Sequence, residues 1–510
     1  MSHKTAIEIL AQLRQRGANV GGLCADSRAL RGGDAFVAYP GASADGRHRI
    51  ADAIARGAAA VLWEREGFSW DEAWRVPNLA VDGLRALSGE IAHEVYGRPS
   101  EKLWLAGVTG TNGKTSCSQW IAQAFSALGR KTAVIGTLGS GYPAAPGGEA
   151  EAGLAPSVNT TPDAIELHRR LAEFLQAGAQ GVAMEVSSIG LDQGRVNGAQ
   201  FDVALFTNLS RDHLDYHGDM ERYAAVKAQL FDTPGLSGAV LNMDDVLGVR
   251  IAQKLAGSKV ACAGYSTHAG VASAAGLDFF LEAENIRLTR EGLAFGLVSS
   301  WGRAEVASRL LGRFNVANLL GVLGVLLGAG VALAPAVAAL AALTPPPGRM
   351  QRLGGAGKPL AVVDYAHSPD ALEAALIGLR PLMNPDGGRL ICVFGCGGDR
   401  DRGKRTLMGA IAARSADQVV LTSDNPRSED PLEIITEILE GVLGEAQTGQ
   451  VPLVIADRRE AIVAAIAGAA AGDIVLIAGK GHEDYQESAG RRIPFLDAAV
   501  AAEALSAWKR

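Results

Sequence analysis

The chain has 510 residues, a net charge of −7, a hydrophobic fraction of 48% and a charged fraction of 20%. Its length predicts about three domains. The apolar share excludes a disordered chain, and the acidic balance lacks the basic stripe of a general nucleic-acid binder.

The N-terminal residues 1–17 are charged and amphipathic, without the apolar run of a secretory signal. Residues 34–39 and 58–63 read as strands flanking a short helix at 52–56, a small α/β unit. A strand is expected at 103–108, followed by a Gly-rich turn and a helix at 115–128. Strands at 131–136, 181–185 and 203–207 continue the alternation, which predicts a parallel sheet with crossover helices. Residues 319–343 carry no charge over 25 positions, long enough to cross a bilayer. Gly328-Ala329-Gly330 and Pro335 interrupt them, so two buried helices joined by a turn are expected, and no membrane span. Pro345-Pro346-Pro347-Gly348 is the clearest linker. Beyond it, strands are expected at 360–364, 389–394, 418–422, 451–455 and 473–478. The fold class is α/β with three domains: 1–102, 103–344 and 345–510. Cys24, Cys117, Cys262, Cys392 and Cys396 show no C-x-x-C spacing, so they read as reduced thiols of a cytoplasmic protein.

The strongest local signal is Thr109-Gly110-Thr111-Asn112-Gly113-Lys114-Thr115, between a strand and a helix, with Ser116 next in line. Backbone N–H groups in such a loop point inward, and the helix N-terminus adds a positive dipole. Lys114 would reach the β and γ phosphates, and the Thr115 hydroxyl would ligate Mg²⁺. The strict phosphate-loop pattern requires Gly where this chain has Val108. Stripped of its flanks, the segment would be an ordinary turn with an exposed lysine. The loop indicates a bound nucleotide and does not separate GTPase, kinase, motor and ligase.

Glu185 falls at the carboxyl end of an expected parallel strand, where ligands sit in such sheets. It is a candidate Mg²⁺ ligand, or simply a surface carboxylate. The segment from Phe206 to Gly218 packs amide, acid and imidazole groups into one loop, with His213 among them. Hard cations take oxygen ligands and an occasional imidazole, although any one of these histidines could be structural. Lys227, on a helix starting near Met220, reads from the residues alone as a surface lysine.

The motifs TGTNGKT, MEVSS, FTNLSRDHLDYHG, FNVANLL, DYAHSPDAL, FGCGGDRD, DNPR and AGKGHEDYQ, in this order, resemble the Mur ligases. The resemblance spans nearly the whole chain. It implies a UDP-substrate-binding N-terminal domain, a central P-loop-type ATPase and a C-terminal Rossmann-like domain for an amino acid. It further implies an enzyme that uses ATP to join meso-2,6-diaminopimelate to UDP-N-acetylmuramoyl-L-alanyl-D-glutamate through an acyl phosphate, in cytoplasmic peptidoglycan precursor synthesis; a monomer is assumed. Glu185 and His213 then resemble ligands of a second Mg²⁺, and Lys227 a lysine carbamylated by CO₂. Asn318, Arg349 and Asp364 match positions near the nucleotide. Ala25, Ser27, Ala42, Ser43 and Ala44 match the uridine end. Asn159, Thr160, Thr161, Ser187, Gln193 and Arg195 match the muramoyl-dipeptide site. Arg400, Asp424, Asn425, Pro426, Arg427, Gly479 and Glu483 match the diaminopimelate site. There Arg427 would meet the distal carboxylate that lysine lacks, and Glu483 the distal ammonium. Two rival readings are a relative adding lysine or glutamate, the latter of folylpolyglutamate type, and a nucleotide-dependent switch. DNPR argues against the first, and charges lining a third domain argue against the second.

Overall fold

A computed structural model describes residues 4–41, 44–144, 153–383, 387–445 and 451–509. Strands β1 (Gly22–Cys24), β2 (Asp34–Ala38), β3 (Ala60–Glu64) and β4 (Asn78–Val81) form a parallel sheet in chain order. The helix Ala6–Gln15 begins with a capping box in which Thr5 and Glu8 bond reciprocally. With the helix Leu84–Val95 it buries Ile9, Leu13, Leu84 and Ile91 against one face.

The second sheet has ten strands. They are β5 (Trp104–Thr109), β6 (Thr132–Gly136), β7 (Gly139–Gly141), β8 (Gly181–Glu185), β9 (Val203–Phe206), β10 (Gly238–Asn242), β11 (Ala261–Ser266), β12 (Phe279–Thr289), β13 (Gly292–Ser299) and β14 (Gly302–Ser308). Their order is β14-β13-β12-β11-β10-β9-β5-β8-β6-β7. The run from β6 to β12 is parallel, and within it β5, β6, β8, β9 and β10 are near-continuous apolar stretches, buried almost throughout. The sheet is not wholly parallel as the alternation suggests: β7, β13 and β14 pair antiparallel at its two ends. The charge-free segment forms two helices, Phe314–Gly328 and Leu333–Ala341, separated by Gly330 at φ +85°. The first is buried almost throughout. The second buries only Ala336, Ala339 and Leu340, so the expectation of two buried helices is half corrected. Among the described residues no helix is long and apolar enough to cross a membrane.

The third sheet comprises β15 (Gln351–Gly354), β16 (Leu360–Asp364), β17 (Leu390–Phe394), β18 (Gln418–Leu421), β19 (Leu453–Val454) and β20 (Ile474–Ala478). Its order is β15-β16-β20-β17-β18-β19, parallel except for β15. A hairpin, β21 (Tyr485–Ser488) with β22 (Arg491–Pro494), follows. Both larger sheets put loops beyond the carboxyl ends of parallel strands, where ligands bind in open α/β sheets.

Candidate functional site

The loop Gly110–Gly113 leaves β5 and enters the helix Lys114–Ala127. Gly110 (φ +147°) cannot be replaced without collision, because an added Cβ would lie 1.9 Å from Thr207 Oγ1. The loop is held from the end of β9: Thr111 N donates to Asn208 O (2.8 Å), Asn112 N to Asn208 Oδ1 (2.9 Å) and Thr207 Oγ1 to Asn112 O (2.6 Å). Lys114 folds back over it, Nζ donating to Gly110 O (2.9 Å) and Thr111 O (2.7 Å). Burial pushes this ammonium below the usual lysine range, opposed by Glu185 and Asp212. Thr115 and Ser116 are buried in the first turn, and the Asn318 side chain lies against Gly113.

Glu185, at the end of β8, is 1% exposed and fully engaged. It accepts from Thr115 Oγ1 (3.0 Å), Thr137 N (2.7 Å) and Thr137 Oγ1 (3.1 Å). It is therefore no surface carboxylate. Thr137 was not singled out from the sequence; its position just after β6, beside β8, is the signal that could have found it. From Glu185 a polar rim extends outward. Thr161 Oγ1 donates to Glu185 O (3.0 Å) and lies 3.0 Å from Ser187 Oγ. Thr160 Oγ1 lies 3.1 Å from Thr137 Oγ1. Arg195 donates to Thr161 O (2.8 Å) and Gln193 Oε1 (2.7 Å). Asn159 is exposed nearby in sequence, its carbonyl accepting from Ser157 Oγ.

Lys227 departs most from its sequence reading. It is 1% exposed, not a surface lysine. Nζ donates to Gly110 O (2.8 Å) and sits 4.3 Å from the centre of the Tyr223 ring. It makes no ion pair with a described residue. Burial, reinforced by Lys114, drives its ammonium far below the usual lysine range. His213 starts the short helix Leu214–His217 at φ +51°, its Nε2 3.4 Å from Asp212 Oδ2. Burial disfavours the Asp212 carboxylate, yet His213, His367 and Lys114 together hold it below the usual carboxylate range.

The third domain reaches into this centre. Arg349 Nη2 donates to Thr115 Oγ1 (3.1 Å), and its guanidinium stacks 4.5 Å over Tyr365. Asp364 accepts from Met350 N (2.7 Å); burial raises its carboxyl to about 6 despite Arg349. Between the domains opens a cleft of about 1090 Å³, lined by Asp212 and His213 on one wall. The other wall carries Arg400, Asp424, Asn425, Arg427, Gly479 and Glu483. Pro426 is buried behind them. Arg427 (φ +52°) donates from Nη1 to Gly398 O (2.7 Å), and Arg400 is exposed. Glu483 is not a free carboxylate: Oε2 accepts from Lys480 Nζ (2.8 Å) and Asn425 Nδ2 (2.7 Å). Lys480 was not singled out from the sequence, although it stands inside AGKGHEDYQ.

Among the described residues, Ala25, Ser27 and Ala44 make no hydrogen bond to this centre. Ser27 Oγ donates to Asp52 Oδ2 (2.6 Å), Ala25 lies just before it, and Ala44 O accepts from Gly41 N (2.8 Å). Ala42 and Ser43 lie outside the described residues.

The arrangement fits a divalent cation only as part of a shared donor set. Among the described residues no group of three His, Cys, Asp or Glu could hold a metal. Thr115 and Glu185 nevertheless present hard oxygens beside the phosphate loop, and Mg²⁺ ordinarily completes its shell with waters and substrate phosphates. All five cysteines are free and buried.

Three family models match the chain: "Mur ligase family, catalytic domain" at residues 19–96, "Mur ligase middle domain" at 108–326 and "Mur ligase, glutamate ligase domain" at 348–481. The chain is 49% identical over 504 residues to the UDP-N-acetylmuramoyl-L-alanyl-D-glutamate–2,6-diaminopimelate ligase of Nitrosomonas europaea, covering 97% of this chain and 94% of that one. It is 51% identical over 490 residues to the protein of the same name from Janthinobacterium sp. (strain Marseille), covering 95% and 94%. A solved structure of a ligase of that name is similar at TM-score 0.67 and 38% identity, covering 96% of this chain and 95% of that one.

Proposed function

As this chain belongs to the Mur ligase family, we propose that it is the ATP-dependent ligase that adds meso-2,6-diaminopimelate to UDP-N-acetylmuramoyl-L-alanyl-D-glutamate. One observation carries the residue assignment. Lys114 of the phosphate loop interacts electrostatically with both Glu185 and Asp212, and Asp212 and His213 line the cleft that also carries Arg400, Arg427 and Glu483. An acid, a triphosphate and an amino acid can therefore meet at one place.

A carboxylate is a poor electrophile, because attack on it must expel oxide. In the reading proposed here, the γ-phosphoryl group passes from ATP to the D-glutamyl γ-carboxylate, leaving ADP and an acyl phosphate. The diaminopimelate amine then attacks the acyl carbon. The C–N bond forms, the C–O bond to phosphate breaks, and the amine's proton leaves to solvent. Catalysis of this kind is mostly positioning and neutralisation of charge. Lys114 would swing from its own loop carbonyls onto the β and γ phosphates, with Gly110, Thr111, Asn112, Gly113 and Ser116 around them. Asn318, Arg349 and Asp364 would close the third domain over the nucleotide. Mg²⁺, when bound, would screen phosphate from carboxylate; Thr115, Glu185, His213 and a carbamate on Lys227 would hold it. The carbamate reading draws support from the burial of Lys227 without an ion pair to a described residue, because CO₂ addition turns an amine whose cationic form is costly to bury into an oxygen ligand.

Thr160, Thr161, Ser187, Gln193 and Arg195, with Asn159, would hold the muramoyl dipeptide, and Ala25, Ser27 and the 42–44 loop the uridine end. Arg427 favours diaminopimelate over lysine, because a partly buried guanidinium gains a carboxylate partner only from the former. We further read domains at 1–102, 103–344 and 345–510 for UDP substrate, ATP and amino acid. The protein is read as a cytoplasmic monomer acting on small molecules, with no nucleic-acid or membrane partner. The test is phosphate release by purified protein. It should require ATP, the UDP-muramoyl dipeptide and diaminopimelate together. Phosphate release without the dipeptide would instead fit a nucleotide switch.

A further inference from the structure

The diaminopimelate reading uses Glu483 as the partner of a substrate ammonium, yet half of that carboxylate is already committed. Lys480 is fully buried at 0% exposure, and its Nζ donates to Glu483 Oε2 (2.8 Å) and to Asn425 Oδ1 (3.0 Å). Asn425 Oδ1 also accepts from Glu487 N (2.9 Å). With its oxygen taken twice, the Asn425 amide can only turn its NH₂ to Glu483, and Nδ2 donates to Oε2 at 2.7 Å. Every described bond to the Glu483 side chain ends on Oε2; Oε1 accepts nothing from a described residue, and Glu483 lines the cleft.

The backbone is shaped to send Lys480 inward. Gly479 (φ +113°) and Gly481 (φ +52°) flank it; a Cβ on the first would meet Asp424 Oδ2 at 2.5 Å, and on the second Tyr365 Cβ at 2.8 Å. The same frame holds Arg427. Its N–H donates to Glu487 O (3.0 Å), Ala489 N donates to Arg427 O (2.6 Å), and Gln486 Nε2 donates to Asp424 O (2.8 Å). One strand, β21, thus fixes both the amide that orients Glu483 and the backbone that aims Arg427.

We propose that Lys480 is a positioning residue that sets stereochemical selectivity at the distal centre of diaminopimelate. By holding Glu483 with only Oε1 presented, it fixes an ammonium site in register with the Arg427 carboxylate site. At that distal carbon the ammonium, the carboxylate and the chain leave in three directions. Inverting the carbon exchanges the first two. Two fixed charges plus a tethered chain then accept one configuration and set ammonium against Arg427 in the other. A mobile Glu483 could follow the ammonium to either place, and the selection would fade.

This inference rests on the function proposed above, and the test separates the two. Full-length wild type and Lys480→Met are assayed by ATP-dependent phosphate release with meso-diaminopimelate, its L,L isomer and L-lysine. Wild type should prefer the meso isomer. In Lys480→Met the KM for the meso isomer should rise about tenfold, with KM for ATP and for the UDP-muramoyl dipeptide unchanged. The meso-to-L,L ratio of kcat/KM should fall towards one. Should the Met variant not fold, Lys480→Arg serves: it keeps the charge but, with a bulkier planar head, displaces Glu483, and the same fall is expected. An unchanged meso-to-L,L ratio in a folded variant, with all activities lowered in parallel, overturns the inference and leaves the function standing. Wild type that releases no phosphate with any of the three amines overturns the function itself.

Discussion

Thr115 and Glu185 stand at the ends of two neighbouring elements and are joined by one hydrogen bond, Oγ1 to Oε2 at 3.0 Å. Arg349 donates to the same hydroxyl from the third domain. The phosphate loop, the strand end and the domain seam therefore share one atom. Glu185→Gln keeps the side-chain shape and most of these bonds while removing the charge. We expect kcat to fall about a hundredfold or more with little change in thermal midpoint. A variant whose kcat stayed within about twofold of wild type would show that the Glu185 charge has no part in the reaction.

Lys114 makes only bonds to its own loop carbonyls, at 2.9 and 2.7 Å. Its hydrogen bonds stay within the loop, so Lys114→Ala should unfold at nearly the wild-type temperature. Turnover should drop by about a thousandfold or more, the scale for losing a cation at a transferring phosphoryl group. Single-turnover phosphate release measures this, and retained turnover would remove Lys114 from the mechanism.

Asp364 gives a pH signature. Burial raises its folded-state carboxyl to about 6, against about 4 for an ordinary aspartate. Between those values the folded protein holds a proton that the unfolded chain has released. Stability from this group therefore declines as pH rises from about 4 to 6 and is fully present only at the acid end. Asp364→Asn still accepts from Met350 N and removes the titration. The unfolding free energy of the variant minus that of wild type should rise by an amount on the order of 2–3 kcal/mol across that window. Thermal melts at pH 4, 5, 6 and 7 read it, and a pH-independent difference would contradict the raised carboxyl.

Much of the scaffold was legible because buried parallel strands are plain apolar runs between turn residues. The strand ending in Glu185 and the strand ending in Asp364 have the bounds expected from the sequence. The antiparallel extension β12–β14 was not anticipated. There one face is buried and one wetted, as in Gly292–Ser299, and the weak alternation was masked by glycine and alanine. Lys227 shows the sharper limit. Its helix begins as expected, but the surroundings that bury it come from Gly110, over a hundred positions away, and no local pattern announces them. Lys480 is hidden for the opposite reason: it stands inside a plain motif, and only its bonds to Asn425, distant in sequence, and to Glu483, folded back in space, distinguish it from its neighbours.

Arg427 holds Gly398 O through Nη1 while the rest of its guanidinium remains half-exposed on the cleft wall. Arg427→Ala should lower kcat/KM for diaminopimelate about a hundredfold, the scale for losing a charge-assisted bidentate contact. Lysine, with no distal carboxylate, should lose little. Equal losses for both amines would assign Arg427 to folding of the 424–427 loop.

Lys227 offers a test that needs no mutation first. A lysine reacts with CO₂ only as the neutral amine, and burial beside Lys114 shifts Lys227 towards that form. The carbamate would then sit near Lys114 and its charge would be compensated, so loss of CO₂ restores a buried, unpaired amine. Activity in degassed, bicarbonate-free buffer should fall severalfold and recover on adding bicarbonate. Because carbamate formation needs the neutral amine, while acid releases CO₂, the bicarbonate effect should be largest at low pH and shrink as pH rises. Lys227→Ala should be inactive and indifferent to bicarbonate. Short-chain carboxylic acids supplied in solution should restore part of its turnover by entering the space the side chain left. Wild-type activity independent of bicarbonate from pH 6 to 9, with no rescue of the alanine variant by any such acid, would leave Lys227 as a neutral amine whose role is to cap Gly110 O.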